Sequence, residues 1–315
     1  MKKKYNVVYL GAVEGFEVVT SVLNDCCDVT HVEAVVDKVA SSLMEADALV
    51  DASMKVKITN SILEQAGNLK IVSCATTGSD HISREKALER GIKISTLKED
   101  KELLQNLTPA AELSWALLMA CARKLSGAYE HVKRGGWVRE EFPGVMLNGK
   151  QLGLVGFGRI GGWMSKYAKA FGMKVIVYDP YVSSLPESVE AANLEDLFAN
   201  SDFISIHVHL TEDTRDLVSS KLLSSIKKGA VLINTSRGDI VSQEGLLMGL
   251  KSGRISAAGL DVLQGEPDID QSPLVQYCRE NSNLIITPHI GGFSPDAVTL
   301  VCKRAAEKVK KCFSE

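Results

Sequence analysis

The stretch Leu152-Gly153-Leu154-Val155-Gly156-Phe157-Gly158-Arg159-Ile160-Gly161 constrains the fold more than any other part of this chain. It reads as a short buried strand, a glycine-rich turn and the first turn of a helix. Gly156, Gly158 and Gly161 have G-x-G-x-x-G spacing. In such a turn the first glycine permits the tight bend and the second lets the backbone approach a pyrophosphate. The third lets the helix pack closely on the strand, with its N-terminal amides aimed at the phosphates. Alone the pattern is weak, because glycine-rich turns occur in many loops. Here a second apolar run, Met173-Lys174-Val175-Ile176-Val177-Tyr178, follows and ends in Asp179. An acidic residue about 20 positions beyond the glycines is the acceptor that a ribose 2′-hydroxyl needs. The two features together predict a dinucleotide-binding βαβ unit.

Bulk properties narrow the class. The chain has 315 residues, enough for two domains with packed cores. Its 36 basic and 39 acidic residues leave a net charge of −3, which gives no electrostatic footprint for nucleic acid or an anionic membrane. The start Met1-Lys2-Lys3-Lys4 is basic, but the apolar run at 5–10 is too short for a signal sequence and fits a first strand. The most apolar run, 115–122, is far below membrane-spanning length. The seven cysteines have irregular spacing and form no C-x-x-C, which predicts a reduced, cytoplasmic compartment. No metal site is expected: His207 and His209 lie two apart at a strand end without further ligands.

Along the first hundred residues, strand-like runs at 5–10, 48–50, 69–73 and 92–95 alternate with helices at 60–66 and 83–90, the second closed by Gly91. That alternation argues for a parallel sheet. Thr108-Pro109 and Glu112 then open one long helix over 109–133, ended by Gly135-Gly136-Trp137. Its length predicts a crossing between two domains. From Gln151 the alternation resumes, with strands at 152–155, 174–178, 203–207, 230–234, 255–260 and 283–287. Helices are expected at 162–171, 194–199, 221–226 and 243–251. Six strands with the glycine motif on the first describe a doubly wound dinucleotide fold. An amphipathic helix at 295–313 falls outside this set and is expected to return to the first domain. The second domain is then an insertion, with the catalytic cleft at the two crossings.

Ligands of such sheets bind beyond the carboxyl ends of the strands. Three of those tips carry chemistry: Thr235-Ser236-Arg237-Gly238 after 230–234, Asp261 with Glu266-Pro267 after 255–260, and Thr287-Pro288-His289-Ile290-Gly291-Gly292 after the last strand. Each residue alone has a bland reading, as a surface ion pair, a loop acid or a core histidine. An Arg, a Glu and a His on one edge of a nucleotide-binding sheet match a single reaction. Hydride exchange between a nicotinamide and a 2-hydroxy acid needs a guanidinium fork for the carboxylate, which suits Arg237. It needs an acid–base group near neutral pH, which suits His289. It needs a carboxylate to fix the imidazole tautomer and favour its protonated form, which suits Glu266.

These motifs, in this order and spacing, resemble the D-isomer-specific 2-hydroxyacid dehydrogenases over essentially the whole chain. That family includes D-lactate, glyoxylate/hydroxypyruvate and D-3-phosphoglycerate dehydrogenases. The resemblance implies an α/β fold of two doubly wound parallel-sheet domains. A Rossmann NAD-binding domain at 102–287 would be inserted in a flavodoxin-like substrate domain formed by 1–101 and 288–315. It implies that Arg237, Glu266 and His289 are catalytic. Gly156, Gly158, Arg159, Ile160 and Gly161 would lie along the pyrophosphate, and Asp179 would hold the ribose. Thr235, Ser236, Arg237, Asp261, His289 and Gly291 would line the nicotinamide half. His207 and Thr214 fall in the cofactor-binding segment after the third strand of that domain. Thr77 and Gly78 match the loop whose amides hold the substrate carboxylate, joined there by Arg237 and His289. The family also implies a homodimer formed through the 109–133 region.

Asp179 repels a 2′-phosphate, and Pro180-Tyr181-Val182 offer no cation, so NAD is expected over NADP. The resemblance implies a small 2-hydroxy or 2-keto acid as substrate. Phosphoglycerate members carry an arginine in the first-domain loop that here reads Val50-Asp51-Ala52-Ser53-Met54-Lys55-Val56-Lys57-Ile58. Lys55 and Lys57 are the cations available there, with solvated surface lysines as the plain alternative. With Glu315 soon after the final helix, no C-terminal regulatory domain like that of longer phosphoglycerate members is expected. His209 stands where a proline is usual. Trp137 either lies near a substrate mouth or anchors the end of the 109–133 helix. A second function on the same fold is an NAD-sensing, corepressor-like binding protein. Formate oxidation, the third, is disfavoured by Glu266, where its members have Gln.

Overall fold

A computed structural model describes residues 4–314 and divides the chain into two compact units. The first unit combines the segment up to Leu107 with the segment from Phe293 onward; the second is Thr108–Gly292.

The first unit is built on five parallel strands: β1 (Tyr5–Leu10), β2 (Cys27–His31), β3 (Ala48–Asp51), β4 (Ile71–Cys74) and β5 (Lys93–Ser95). Their order is β2-β1-β3-β4-β5, the flavodoxin arrangement. Side chains alternate between the two faces, as the two-residue strand period requires. Val7 and Tyr9 pack with Val19, Leu23, Val301 and Ala305, so the helices Val13–Leu23 and Pro295–Ser314 cover one face. Val8 and Leu10 pack with Val39, Leu43, Ile62 and Leu63 from the helices Val36–Leu43 and Asn60–Gln65 on the other.

The second unit has seven parallel strands: β6 (Gln151–Val155), β7 (Lys174–Tyr178), β8 (Glu190–Ala191), β9 (Phe203–Ile206), β10 (Ala230–Asn234), β11 (Ile255–Leu260) and β12 (Leu284–Ile286). The order β12-β11-β10-β9-β6-β7-β8 is the Rossmann order with one strand more. Chain direction through the sheet reverses at β6, between β7 and β9. The crevice beyond the carboxyl ends of β6 and β9 is therefore the switch point where such sheets take a ligand.

Two expectations are corrected. The segment 109–133 is two helices, Pro109–Ala122 and Leu125–Lys133, both within the second unit. Lys124 between them is left-handed at φ 52°, and the amide of Val145 takes the Ala122 carbonyl at 2.8 Å, so the first helix cannot continue. Its Leu117, Leu118 and Cys121 pack against the second unit's sheet beside Ile233 and Ala257. The second sheet has seven strands and not six, because the two-residue β8 adds to β7. The two units meet along the chain at 107/108 and 292/293. Leu103, Leu104 and Leu107 pack in the first core, and Asp261 ties Ile290 and Gly291 to the second unit.

Candidate active site

The glycine turn after β6 is shaped for a phosphate pair. Gly156 is left-handed at φ 94°, and a Cβ there would lie 2.6 Å from the carbonyl oxygen of His207. A Cβ on Gly161 would collide with the carbonyl oxygen of Gly156. At Gly158 an added Cβ meets nothing within 4 Å. Two glycines are thus required by the protein's own backbone, and the third faces open space, where only a ligand would claim the room. Arg159 and Ile160 open the helix Arg159–Ala170, and no side chain caps its N-terminus. A pyrophosphate fits this cradle.

Asp179 follows β7. Its carboxylate accepts from the Phe157 amide at 2.7 Å and from the Tyr181 amide at 2.9 Å. The acid is thereby fixed beside the glycine turn, with lone pairs remaining for a ribose hydroxyl. A cavity of about 180 Å³ lies next to it, lined by Val177, Asp179, Pro180, Val182, Leu185 and Ala192. Apolar walls beside one fixed acid suit an adenosine.

After β9, the His207 Nε2 lies 2.8 Å from Ser205 Oγ, and burial pushes the imidazole down to about 3, so it stays neutral. Its carbonyl is the wall behind Gly156. Thr214 is committed to its own loop: its hydroxyl donates to the His209 carbonyl at 2.6 Å and accepts from the Thr211 amide at 2.7 Å.

The tip after β10 is braced from several sides. Asn234 accepts from the Ser236 amide at 3.0 Å and donates to the Arg237 carbonyl at 2.9 Å. Ser236 Oγ donates to the Ile206 carbonyl at 2.7 Å, and Thr235 Oγ1 lies 2.7 Å from Ser114 Oγ. One Arg237 guanidinium nitrogen donates to the Ser236 carbonyl at 2.8 Å. The guanidinium therefore projects from a stem whose backbone is pinned.

Asp261, directly after β11, organises the next tip. Its buried carboxylate accepts from the Thr287 hydroxyl at 2.6 Å, the Ile290 amide at 2.9 Å and the Gly291 amide at 2.7 Å. Burial pushes this carboxyl above its usual value, and these bonds and His289 oppose the rise. The clamp holds His289 at φ 54°, a left-handed conformation that costs a residue with a side chain roughly 1–2 kcal/mol. So held, His289 Nδ1 lies 2.8 Å from Glu266 Oε1. Glu266 Oε2 accepts from the Leu263 amide at 3.2 Å. A carboxylate only accepts, so Nδ1 is the donor and Nε2 is left to exchange a proton. The two side chains are 38% and 30% exposed, open enough to meet a bound molecule.

In the first unit, Thr77 and Gly78 lie in the loop after β4. Thr76 Oγ1 donates to the Gly78 carbonyl at 2.8 Å, and the Thr76 carbonyl accepts from the Leu97 amide at 2.9 Å. Among the described residues, the Thr77 and Gly78 amides meet no protein acceptor. Lys55 and Lys57 are exposed. Asp51 is instead wholly buried and bonded to His81, a pairing that sequence reading missed because thirty residues separate the two. Trp137, at 88% exposed, does not anchor the end of its helix by packing. His131 does so, accepting from the Val138 amide at 3.2 Å. No group of three or more His, Cys, Asp or Glu among the described residues could hold a metal ion. Among the described residues, no helix is long and apolar enough to cross a membrane.

A family model described as D-isomer specific 2-hydroxyacid dehydrogenase, NAD binding domain, matches residues 115–291, more than half of the chain. The chain belongs to the D-isomer-specific 2-hydroxyacid dehydrogenase family. It is an NAD-dependent 2-hydroxyacid dehydrogenase, and its cofactor is NAD. A hydroxypyruvate reductase of Thermotoga maritima is 38% identical over 275 residues, covering 87% of each chain. A D-3-phosphoglycerate dehydrogenase of Methanocaldococcus jannaschii is 37% identical over 279 residues, which are 87% of this chain and 51% of that one. This dehydrogenase thus spans about half the length of that relative. Among solved structures, the D-lactate dehydrogenase of Aquifex aeolicus with NAD and lactic acid superposes with a TM-score of 0.85 at 26% identity, over 98% of this chain and 97% of that one.

Proposed function

We propose that this dehydrogenase reduces a small, unphosphorylated 2-keto acid of the size of glyoxylate or hydroxypyruvate to the D-2-hydroxy acid, and catalyses the reverse. The observation that carries this reading is the Glu266–His289 couple at 2.8 Å on the sheet edge that also presents Arg237. Bound NADH supplies the hydride to the keto carbon. Arg237 binds the carboxylate and polarises the carbonyl with its planar fork. His289 Nε2 gives the proton that the carbonyl oxygen takes up, and it recovers one from the hydroxyl in the oxidative direction. Glu266 holds Nδ1 and keeps the ring oriented. Thr77 and Gly78 offer backbone amides to the carboxylate.

For the cofactor, Gly156, Gly158, Arg159, Ile160 and Gly161 take the pyrophosphate, and Asp179 takes the ribose. Thr235, Ser236, Asp261 and Gly291 shape the nicotinamide side. His207 and Thr214 act through the loop they build. An unphosphorylated substrate is supported by a 50–58 loop without arginine whose lysines are exposed. Homodimerisation through the 109–133 region is supported by the exposed Leu125, Tyr129, Val132, Trp137 and Val138. A cytoplasmic location is supported by seven cysteines, all free.

The test is NADH oxidation at neutral pH against glyoxylate, hydroxypyruvate, pyruvate, branched and aromatic keto acids and 3-phosphohydroxypyruvate, with NADPH in parallel. Turnover highest on glyoxylate or hydroxypyruvate is expected. Preference for the phosphorylated acid would give Lys55 or Lys57 a role in binding. Tight NADH binding without any turnover would favour a nucleotide-sensing protein.

A further inference from the structure

The first unit holds a carboxylate–imidazole pair that the reaction does not use. Asp51 ends β3 with no exposed surface, and its Oδ2 lies 2.9 Å from His81 Nε2. Its Oδ1 accepts from the Ser53 amide at 2.8 Å, the Ser53 hydroxyl at 3.0 Å and the Met54 amide at 3.1 Å. Met54 is left-handed at φ 54°, so this carboxylate holds a strained turn. The Asp51 carbonyl also accepts from the Ala75 amide at 2.8 Å. At the far end, the Ile58 amide donates to the His81 carbonyl at 2.8 Å, and the Ser83 amide to the Ile58 carbonyl at 3.0 Å. The loop after β4 is thus fastened to the loop after β3 at Ala75 and at His81. Between the fastenings lie Thr76, Thr77, Gly78, Ser79 and Asp80, with the Thr77 and Gly78 amides that meet no protein acceptor.

His81 is a poor choice if stability were all it served. Its side chain is 7% exposed, and its Nδ1 is buried without a partner among the described residues. A buried nitrogen left unpaired destabilises the fold, and an apolar side chain would avoid that penalty. What the imidazole adds is an Nε2–H donor, aimed at a carboxylate that already organises the neighbouring loop.

We propose that Asp51 and His81 are positioning residues for the keto acid, a clasp that fixes the Thr77 and Gly78 amides in the geometry that receives the substrate carboxylate. The proposal rests on the reading that these amides bind the substrate. Neither residue touches the reacting atoms. Breaking the clasp therefore weakens substrate binding and leaves the cofactor and the chemical step alone.

The experiment is steady-state kinetics on the full chain with the keto acid that the panel selects, alongside fluorescence titration of NADH. His81→Ala and Asp51→Asn are expected to raise the KM of the keto acid about tenfold, with kcat at saturation and NADH affinity within about threefold. Asp51→Asn is nearly isosteric and keeps an acceptor for the Ser53 and Met54 amides, so it tests the clasp even if His81→Ala fails to fold. His81→Gln keeps an N–H donor near the Nε2 position and should restore most of the KM. An unchanged KM in Asp51→Asn, or equal losses in His81→Gln and His81→Ala, would overturn the clasp alone. A wild-type protein that turns over no keto acid would overturn the functional reading and the clasp with it.

Discussion

Each unit contains a histidine bonded to a carboxylate, and the two pairs are wired in opposite senses. In the second unit, His289 gives Nδ1 to Glu266, and both side chains keep about a third of their surface open. In the first, His81 gives Nε2 to Asp51, and both are buried. The same two functional groups thereby acquire different capacities. The open pair leaves a ring nitrogen that can trade a proton with a bound molecule. The buried pair cannot, yet in its low-dielectric setting it can hold backbone in place. The sign of the acid shifts follows the same logic. Burial alone would push Asp51 up, but the imidazole donor and the Ser53 and Met54 amides outweigh it and hold the carboxyl below its usual value. Asp261, as deeply buried in the second unit, is pushed up by burial more than the Thr287 hydroxyl, the Ile290 and Gly291 amides and His289 pull it down, and it ends above its usual value.

The largest effect expected is at the open pair. His289→Asn should lower kcat for keto-acid reduction by about a hundredfold or more while NADH binding, read by fluorescence, is preserved. A loss confined to KM would erase the distinction between the two histidines. The next test sharpens the contrast between the two aspartates. Asp51→Asn should destabilise the protein by about 2 kcal/mol at neutral pH, read by urea unfolding. Because the folded carboxyl titrates below the ordinary 3.8, its contribution is complete above that value and is lost as pH falls through the folded one. The gap between wild type and Asp51→Asn should therefore close in acid. Asp261→Asn should show the reverse slope. Its carboxyl is raised, so the native state bears the penalty of a buried charge above the folded pKa and is relieved of it on acidification. Parallel slopes for the two variants would refute the account given for their shifts. The smallest effect expected is on cofactor choice. Asp179→Ser should narrow the NADH preference over NADPH about fivefold, and because the Phe157 amide loses its acceptor, NADH should also bind more weakly. An unchanged ratio of kcat/KM for the two nucleotides would remove Asp179 from that role.

Much of the second unit is legible in the chain because its signals are local. The runs of β6, β7, β9, β10 and β11 are mostly apolar and buried, and Gly156, Asp179, His207, Thr235 and Asp261 each lie directly after one. The first unit is harder to read. β2, with Asp28, Thr30 and His31 in its five residues, is a half-exposed edge strand that lacks an apolar run. The helices Val13–Leu23 and Val36–Leu43 begin without a side-chain cap and carry valines, which give weak helical signals. The helix Pro273–Glu280 has only eight residues, with Leu274 its one fully buried side chain, and β8 has just two residues, so each is too short to show a clear period in the sequence. Arg237, Glu266 and His289 are nameable from motif and chemistry, but the Asp261 clamp that sets the backbone of His289 is not. Nor is the Asp51–His81 clasp. Both are contacts between loops that only the folded sheet brings together.

The helix Pro295–Ser314 carries one further consequence. It belongs to the first unit, yet every residue of the second precedes it in the chain. On the ribosome, the unit that is begun first is therefore completed last. Until that helix emerges, the face of the first sheet formed by Val7, Tyr9 and Val50 lacks the cover supplied by Val298, Val301, Cys302 and Ala305. A nascent chain stalled before Pro295 would carry a cofactor-binding unit with all its strands, tethered to a half-clad apolar sheet of the kind that chaperones retain.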